Sequence, residues 1–322
     1  MSAPATPIKV RVQRKRTEAQ GICSLELVPV QGALPPFTAG AHLDVHLPNG
    51  LVRQYSLCNS PAESNRYEIA VLRDANSRGG STAVHDLVPE GAVIDISEPR
   101  NHFPLADGAA HHLLMGGGIG ITPMMAMAET LSSQGAAFTL HYCTRSLERT
   151  AFVDRIAASP WAASVHHHFD DGAPGQKLDI AAALAAQSPG THLYVCGPQP
   201  FIDAVLGSAR AQGWTEDRLH VEFFGAAPTA KADDGGFEIE VAGTGKVIRV
   251  AKDQTALAAL QAAGLDIPMS CEQGVCGTCL TRVIAGTPDH RDHYLTDEEK
   301  AANDQFLPCC SRARTQRLVV EV

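Results

Sequence analysis

Cysteines near the carboxyl end of the chain are the residues whose type and spacing most clearly predict chemistry. Four residues separate Cys271 from Cys276, two separate Cys276 from Cys279, and Cys309 lies further along the chain. Three thiolates on one short loop can surround a small metal cluster, while a fourth closes the site from a distant segment. The C-x4-C-x2-C spacing followed by a remote cysteine is typical of a [2Fe–2S] site, so the sequence predicts one here.

Glycines within the cysteine loop support this interpretation. Gly274 and Gly277 would let the backbone turn tightly and bring its N–H groups near the sulfurs. A zinc site or a structural disulfide are the alternatives, but zinc sites more often combine two short Cys-x2-Cys units. The sequence also leaves open whether Cys309 or its neighbour Cys310 is the fourth ligand.

A second group of residues predicts a phosphate site. It consists of Arg53, Gln54, Tyr55 and Ser56 on a predicted strand and of Gly79, Gly80, Ser81 and Thr82 at a predicted helix start. A guanidinium group binds phosphate through paired hydrogen bonds, and the free N–H groups of a helix start bind anions. Each motif alone is a weak signal, and together they describe one phosphate that is neutralised from two sides.

Two glycine-rich turns predict a nucleotide site. They contain Gly116, Gly117, Gly118, Thr122 and Pro123 after one apolar strand, and Cys196, Gly197 and Pro198 after another. Glycines let a pyrophosphate approach the backbone, and ligands bind at the carboxyl ends of the strands in open parallel sheets. The first turn differs from the G-x-G-x-x-G dinucleotide fingerprint, and a buried structural cysteine is the other interpretation of Cys196.

The elements that must position these residues fall into three units. Residues 8–100 contain short alternating strands, typical of a small antiparallel barrel, with one helix opening at Ser81 and Thr82. From residue 111 strands alternate with helices, including one predicted over 147–159, which indicates a parallel sheet. A hairpin around residues 243–245 and a helix from Thr255 begin the last unit. The predicted domains are therefore residues 1–107, 108–226 and 236–322, with a linker at 227–235.

Composition excludes several functional classes. The formal net charge of the 322 residues is -9, which argues against nucleic acid as the main partner. No stretch of 18 uninterrupted apolar residues predicts a membrane span, and the first residues lack the apolar core of a signal peptide. We therefore expect a cytoplasmic protein without a membrane partner, in which clustered cysteines bind metal.

Three further features have structural interpretations. The consecutive histidines 166–168 do not share one face of a helix or a strand, which disfavours a metal site. The basic residues 11–16 are predicted on a solvated edge strand. Thr296 and Glu299 have the spacing of a capping box and predict a helix near residues 297–304.

In their order along the chain, these motifs resemble those of the phthalate dioxygenase reductase family, over essentially the whole length. The resemblance implies a flavin domain that binds FMN, a nicotinamide domain that binds NADH and a carboxyl-terminal plant-type ferredoxin domain of the β-grasp type. Related reductases with the ferredoxin domain first usually bind FAD, so the order of domains favours FMN.

The resemblance also implies roles for individual residues. Residues implied to bind FMN are Arg53, Gln54, Tyr55, Ser56, Gly80, Ser81, Thr82 and Phe224, the last by stacking on the flavin ring. Residues implied to bind the nicotinamide cofactor are Gly116, Gly117, Gly118, Thr122, Pro123, Thr144, Arg145, Cys196, Gly197 and Pro198. Among all of these, Cys196, Thr122 and Phe224 are expected at the site of hydride transfer. In the family the last cluster ligand precedes x-Ser-Arg, and Cys309 matches this pattern.

The function implied by the resemblance is electron transfer from NADH through FMN and the cluster to a Rieske-type oxygenase. Residues 233–322 contain 14 acidic and 9 basic side chains, which suits a partner with a basic docking surface. An acidic residue that would select NADH is not found beside Thr144. The alternatives are an FAD-containing reductase of a diiron hydroxylase and a zinc-stabilised binding module without enzymatic activity.

Overall fold

The chain divides into two compact units, Met1–Phe224 and Gly225–Val322. The computed structural model describes residues 7–74, 79–173, 175–224, 234–269 and 271–322. Of the predicted linker, residues 227–233 lie outside the described residues. Within the described part of the chain, no helix combines the length and the apolar character needed to cross a membrane.

The first sheet of the amino-terminal unit is antiparallel and seven-stranded. Its strands are β1 (Ile8–Ala19), β2 (Ile22–Pro29), β3 (Ala41–His46), β4 (Val52–Ser56), β5 (Tyr67–Leu72), β6 (Val93–Ile96) and β7 (Arg100–Asn101), and helix α1 (Gly80–Leu87) lies between β5 and β6. The strand order is β4-β3-β6-β1-β2-β5, and β7 pairs with β3. Alternating apolar side chains bury one face of these strands, as the sequence pattern predicts.

Two predictions for this region differ from the structure. Among the described residues, no ladder joins β4 to β5 at the ends of the strand order, and a single bridge joins Leu57 to Ile69. The predicted barrel is therefore not confirmed, because β4 ends at Ser56, before the bridge. The prediction of an edge strand over residues 11–16 is wrong at Arg11, which pairs with β2 on one side and with Val93 of β6 on the other, whereas the ladder with β6 does not extend to residues 14–16.

The second sheet of this unit is parallel, as predicted. Its strands are β8 (His111–Gly117), β9 (Phe138–Thr144), β10 (Val165–Phe169), β11 (Thr191–Cys196) and β12 (Leu219–Glu222), in the order β10-β9-β8-β11-β12. The helices are α2 (Ile121–Ser133), α3 (Val153–Ala157), α4 (Ile180–Ala185) and α5 (Gln199–Ala211). All five strands consequently present their carboxyl ends at one edge, where ligands bind in such sheets.

The helix predicted over residues 147–159 is interrupted. A 3-10 turn covers Leu147–Arg149, and the α-helix begins only at Val153. Between them Phe152 is buried and has a φ of 63°, a left-handed conformation that a continuous right-handed helix does not contain.

Side-chain and backbone hydrogen bonds join the two sheets of this unit. Arg155 of α3 donates to the Glu68 carboxylate at 2.9 Å and to the carbonyl of Cys58 at 3.0 Å. The N–H of Gln20 donates to the carbonyl of Glu148 at 2.8 Å. These contacts fix the antiparallel sheet against the parallel one, so that residues from both can form one site.

The carboxyl-terminal unit has a mixed five-stranded sheet and a two-stranded one. Its elements are β13 (Phe237–Val241), β14 (Lys246–Val250), α6 (Ala256–Ala262), β15 (Thr281–Ala285), β16 (Pro288–Asp289), α7 (Asp297–Ala302), β17 (Gln305–Phe306), β18 (Arg312–Ala313) and β19 (Arg317–Glu321). The order of the larger sheet is β14-β13-β19-β15-β17, and β16 pairs with β18. The predicted hairpin, the helix capped by Thr255 and the capping box of Thr296 with Glu299 are confirmed.

Candidate functional site

The cysteine loop lies between α6 and β15, and its sulfurs come in pairs. Cys271 hydrogen-bonds to Cys276, which raises the pKa of Cys271 and lowers that of Cys276, and Cys279 similarly contacts Cys309. In the described residues, no group of three or more His, Cys, Asp or Glu side chains surrounds a single ion position. Two pairs of thiols fit the four-thiolate ligand set that a [2Fe–2S] cluster requires.

Backbone N–H groups approach the sulfurs of this loop. The N–H of Gln273 donates to Cys271 Sγ at 3.3 Å, and that of Thr278 donates to Cys276 Sγ at 3.5 Å. Such bonds stabilise thiolate charge, and they stabilise the further negative charge that a cluster gains on reduction. The donor set of this loop therefore fits a [2Fe–2S] cluster.

Glycines shape the loop where other residues would not fit. Gly274 and Gly277 have φ values of 72° and 71°, which other residues rarely adopt. A Cβ at Gly274 would lie 2.5 Å from Cys310 Sγ, and one at Gly277 would collide with the ring of Tyr294. The loop is thus held in a narrow space that only glycines leave open.

Positions of the two candidate fourth ligands differ. Cys309 Sγ contacts Cys279 and the backbone of Gly274. Cys310 Sγ contacts Cys309, the carbonyl of Leu307 at 3.7 Å and the hydroxyl of Ser311 at 3.8 Å. This geometry favours Cys309, the ligand implied by the resemblance.

The two halves of the predicted phosphate site meet in the amino-terminal unit. A Cβ at Gly80, the first residue of α1, would lie 2.7 Å from Cγ and Nε of Arg53 on β4. Gly79 precedes the helix with a φ of 94°. A glycine pair is therefore required for the helix start to approach the guanidinium group. The two motifs therefore lie together, and their binding of one phosphate stays a prediction.

The other residues of the two phosphate-site motifs differ in burial and in their hydrogen bonds. Burial raises the pKa of the half-buried Tyr55. Gln54 donates to Asp44 at 3.0 Å, and the hydroxyl of Ser81 accepts from the N–H of Asp74 at 3.1 Å. Thr82 is half-buried. Gln54 and Ser81 thus have structural contacts besides their predicted roles.

The glycine-rich turn after β8 meets the turn after β11. A Cβ at Gly117 would lie 2.9 Å from Phe201 and 3.0 Å from Pro198, and one at Gly120 would collide with the carbonyl of Cys196. The start of α2 is thereby packed directly against the end of β11. Close packing of this kind places both turns at one position along the edge of the sheet, as a nucleotide site requires.

Thr122 is buried in the first turn of α2. Its hydroxyl donates to the carbonyl of Ile119 at 3.0 Å, and Pro123 follows it inside the helix. The structure therefore gives Thr122 a helix-stabilising contact in addition to its predicted role.

Ser56, Cys196 and Glu222 form a contact between the two sheets. The Ser56 hydroxyl donates to Glu222 Oε2 at 3.1 Å, and Glu222 is paired in register with Cys196 on the neighbouring strand. Although Glu222 is only half-buried as a whole, desolvation of its carboxyl group raises its pKa to about 8. Burial, and then the nearby Glu222, raise the pKa of the Cys196 thiol well above its ordinary value. Both groups are therefore protonated at neutral pH.

Comparisons with known proteins agree with this arrangement. Residues 239–314 match the family described as 2Fe-2S iron-sulfur cluster binding domain, and residues 96–219 match the dimethylamine monooxygenase subunit DmmA-like, N-terminal domain. Vanillate O-demethylase oxidoreductase of Pseudomonas sp. (strain HR199 / DSM 7063) is 54% identical over 98% of this chain and 100% of that protein.

Phthalate dioxygenase reductase gives a match in both sequence and structure. The protein of Burkholderia cepacia is 40% identical, over 98% of this chain and 97% of its own. A solved structure, described as modular for electron transfer from pyridine nucleotides to [2Fe–2S], has a TM-score of 0.80 at 40% identity and 98% coverage of both chains. The chain belongs to the phthalate dioxygenase reductase family. It is an oxidoreductase, and its carboxyl-terminal unit is a ferredoxin unit.

In this reductase, Glu222 is a candidate functional residue that the sequence analysis missed. Its signal was present, because a charged residue ends the last apolar strand of the parallel sheet, at the edge where ligands bind. Phe224, two residues later, is 37% exposed, and its implied stacking on a flavin ring stays a prediction. The sequence alone could not show that Glu222 reaches Ser56.

Acidic residues near Thr144 were also missed. The N–H of Asp170 donates to the carbonyl of Thr144 at 3.0 Å, and that of Asp171 donates to the carbonyl of Arg145 at 3.1 Å. Both carboxylates are exposed at the end of β10, beside β9. Two acidic residues that follow β10 thus lie beside the backbone of Thr144 and Arg145.

The histidine run of this reductase lies on β10. His168 hydrogen-bonds to His141 of β9 at 2.9 Å and to the carbonyl of Gln176 at 3.1 Å, and His166 stacks on His141. Burial lowers the pKa of His141 to about 4, so its ring is neutral near pH 7. These contacts give His141, His166 and His168 a structural role on the surface of the parallel sheet.

Proposed function

We propose that this reductase carries electrons from NADH to a Rieske-type aromatic-ring oxygenase or O-demethylase through FMN and a [2Fe–2S] cluster. FMN, when bound, would take up a hydride and release single electrons to the cluster, which joins a two-electron donor to a one-electron acceptor. The pairing of sulfurs in the cysteine loop, within the matched cluster-binding family, is the observation that most directly supports this proposal.

The cluster is proposed to bind Cys271, Cys276, Cys279 and Cys309. The family match over residues 239–314 contains all four, and their contacts favour Cys309 over Cys310. We also propose that this unit, residues 236–322, has the β-grasp fold, in which β13 and β19 run parallel at the centre of the sheet.

FMN is proposed to bind the domain of residues 1–107. Arg53 and the N–H groups at Gly80, Ser81 and Thr82 would hold its phosphate, while Tyr55 and Phe224 would pack on the ring. The contact between Arg53 and the start of α1 supports this assignment. We further propose that the sheet closes into a barrel through the bridge that follows β4.

NADH is proposed to bind the domain of residues 108–226. Its pyrophosphate would lie over the glycines at residues 116–118, near the start of α2, and its adenosine ribose near Thr144 and Arg145. Cys196 and Glu222 would then face the nicotinamide ring, which must reach the flavin for hydride transfer. The protein's own contribution is the positioning of these groups.

The partner is proposed to dock at the ferredoxin unit. The relatives' names mention vanillate O-demethylase and phthalate dioxygenase, which act in oxygenase systems. The excess of acidic over basic residues after residue 232 favours a partner surface that is basic, and redox encounters of this kind bury small interfaces. A supply of NADH favours a location in the cytoplasm.

Replacing single cysteines tests the proposal. In Cys276→Ser and Cys309→Ser, we expect NADH-driven reduction of cytochrome c to be lost, because electrons cannot leave through the cluster. NADH-driven reduction of ferricyanide, which can take electrons from the flavin, should remain. Cys310→Ser is the matched control and should keep both activities together with the absorption spectrum of the cluster.

Two analyses of the purified protein separate the alternatives. The mass of the released flavin distinguishes FMN from FAD. Iron and acid-labile sulfide in equal amounts support the cluster, whereas zinc without sulfide would contradict the proposal. Loss of cytochrome c reduction in C310S, with C309S unaffected, would reassign the fourth ligand.

A further inference from the structure

A carboxylate is buried beside the cysteine loop of the ferredoxin unit. The side chain of Asp292 has an exposure of 0%. Its two oxygens are held by different segments, because the N–H of Leu295 donates to Oδ2 at 2.9 Å and the hydroxyl of Ser311 donates to Oδ1 at 3.3 Å. Hydrogen bonds of this kind lower the cost of burying a negative charge, and they fix its position.

This carboxylate has no charged partner in a direct ion pair among the described residues. The basic side chain within salt-bridge distance of it there is His290, whose Nδ1 lies 3.6 Å from Oδ1. Burial lowers the pKa of His290, so its ring is neutral near pH 7. Lys300 donates to the backbone carbonyl of Asp292 at 2.9 Å and not to its carboxylate. The negative charge therefore lies in surroundings with little water to screen it.

Asp292 also packs directly against the cysteine loop. A Cβ at Gly274 would lie 3.1 Å from Cα and 3.2 Å from Cβ of Asp292. The next residue, His293, donates its N–H to the carbonyl of Gly274 at 3.0 Å. Gly274 in turn makes a backbone hydrogen bond to Cys309 Sγ. One glycine of the loop thus separates Asp292 from the proposed fourth ligand.

Ser311 connects the carboxylate to the segment of the fourth ligand by a second route. It lies two residues after Cys309, and its hydroxyl accepts from the N–H of Arg291 at 3.1 Å. Because the hydroxyl only accepts in that bond, its single proton is free for Asp292. This proton is the positive end of a dipole, so it partly offsets the charge of the carboxylate.

We propose that Asp292 sets the reduction potential of the cluster, which it lowers by placing a buried negative charge beside the cysteine loop. Reduction adds a negative charge to the cluster, and a nearby carboxylate that is poorly screened opposes this addition. The inference rests on the proposed function, because it takes Cys309 as a ligand of the proposed cluster.

Redox titration of the full, cofactor-loaded protein tests this role, with the EPR signal of the reduced cluster as the readout. Asp292→Asn keeps the shape of the side chain but removes its charge. We expect the equilibrium constant for cluster reduction to rise by about tenfold, the lower end of what one neighbouring charge does to another ionisation. For one electron this corresponds to a potential higher by about 59 mV.

Ser311→Ala should shift the potential in the opposite direction. It keeps the charge of Asp292 but removes the hydroxyl that partly offsets it, so we expect the equilibrium constant to fall by about threefold. A fault that only loosened the loop would shift both variants in the same direction. Asp266→Asn is the matched control, because it removes an exposed charge from the segment between α6 and the loop. It should keep the wild-type potential, since solvent screens that charge.

A wild-type potential in D292N, with normal absorption of the cluster, would overturn the proposal. If D292N does not keep its cluster, S311A decides the question, and a potential in S311A that is unchanged or higher would overturn the proposal. Absence of iron and acid-labile sulfide from the wild-type protein would instead contradict the proposed function.

Discussion

Three of the four proposed cluster ligands lie on one loop, Cys271–Cys279, whereas Ser56 and Glu222, which are hydrogen-bonded in the other unit, are 166 residues apart in the chain. The loop site depends on the backbone conformation of a few consecutive residues. The dispersed site depends on strand register and on the packing of two sheets. A single substitution in the loop should therefore abolish cluster binding. A single substitution in the dispersed site should only lower its activity, by an amount that depends on how far the strands or helices move.

The largest effect is expected from Gly277→Ala. Its Cβ would collide with the ring of Tyr294, and its φ of 71° is unfavourable for alanine. The loop must then shift its neighbouring thiolates, Cys276 and Cys279, so we expect the cluster and all cytochrome c reduction to be lost. Cluster absorption, iron content and both acceptor assays measure this outcome.

Gly245→Ala is the matched control for G277A. Gly245 also has a positive φ, 67°, but nothing lies within 4 Å of the position of its Cβ. We expect the control to keep its cluster and to lose only about 1 kcal/mol of unfolding free energy. If G277A binds a full complement of cluster, the prediction is wrong, because the loop can then shift without losing its ligand geometry.

A smaller but still large effect is expected from Gly120→Ala in the dispersed site. The added Cβ would collide with the carbonyl of Cys196, so α2 and β11 must move apart. We expect kcat/KM for NADH with ferricyanide to fall by about 100-fold, as misplacement by about 1 Å can cause, while flavin and cluster remain bound. Gly207→Ala, at an open position in α5, should leave this value unchanged.

Sequence reasoning was most successful where the site is contiguous. The spacing of the cysteines indicated the cluster loop directly, and hairpin, helix and capping box in the same unit were predicted from residues adjacent in the chain. The parallel sheet was also predicted, because strands alternate with turns and helices along this part of the chain. Local pattern carries this information, since turns and caps depend on a few neighbouring residues.

Contacts between distant segments were not predictable in this way. The pairing of Glu222 with Cys196 and its bond to Ser56 depend on strand order and on how two sheets pack. Whether the first sheet closes, and the pairing of β1 with β6 over Ile8–Arg11, depend on strand order as well. Periodicity shows that a strand has a buried face but not which strands lie beside it.

The effect of Glu222→Gln on the dispersed site should depend on pH. With a pKa of about 8, Glu222 is neutral below that pH and becomes a carboxylate above it. A carboxylate would stabilise the positive charge that develops on the nicotinamide ring. We expect hydride transfer to be about tenfold slower in E222Q than in the wild type at pH 9, with little difference at pH 7, as is typical for one electrostatic contact. Single-turnover flavin reduction across this range measures the effect.

Stability measurements supply the control for E222Q. The unfolded chain loses the Glu222 proton near pH 4.5 and the folded protein near pH 8, so ionisation of this group opposes folding as pH rises between these values. E222Q lacks the ionisable proton and should therefore be more stable than the wild type by about 4 kcal/mol of unfolding free energy at pH 8, with a smaller gain at lower pH. A slower but less stable variant would point to a structural fault instead. An unchanged pH profile would remove Glu222 from the hydride site.

The smallest effect is expected where contacts are most exposed, at Asp170 and Asp171. Their backbone N–H groups donate to the carbonyls of Thr144 and Arg145, so these two exposed residues lie beside the segment where the adenosine ribose is proposed to bind. They should repel the additional phosphate of NADPH, which Arg145 would otherwise attract. Replacing both aspartates by Ser should raise kcat/KM for NADPH by about threefold with ferricyanide as acceptor, because charges this exposed are partly screened by solvent.

Salt separates this electrostatic effect from a steric one. The gain with NADPH in the double variant should shrink as ionic strength rises, since the screening length falls to about 3 Å at 1 M salt. Asp217→Ser, at the amino-terminal side of β12 and therefore away from the ligand edge, should leave the ratio of NADH to NADPH unchanged. If the double variant keeps the wild-type ratio of kcat/KM for NADH and NADPH, then the segment after Thr144 determines the choice of cofactor. The segment at the end of β10 would in that case contribute only backbone contacts to the dispersed site.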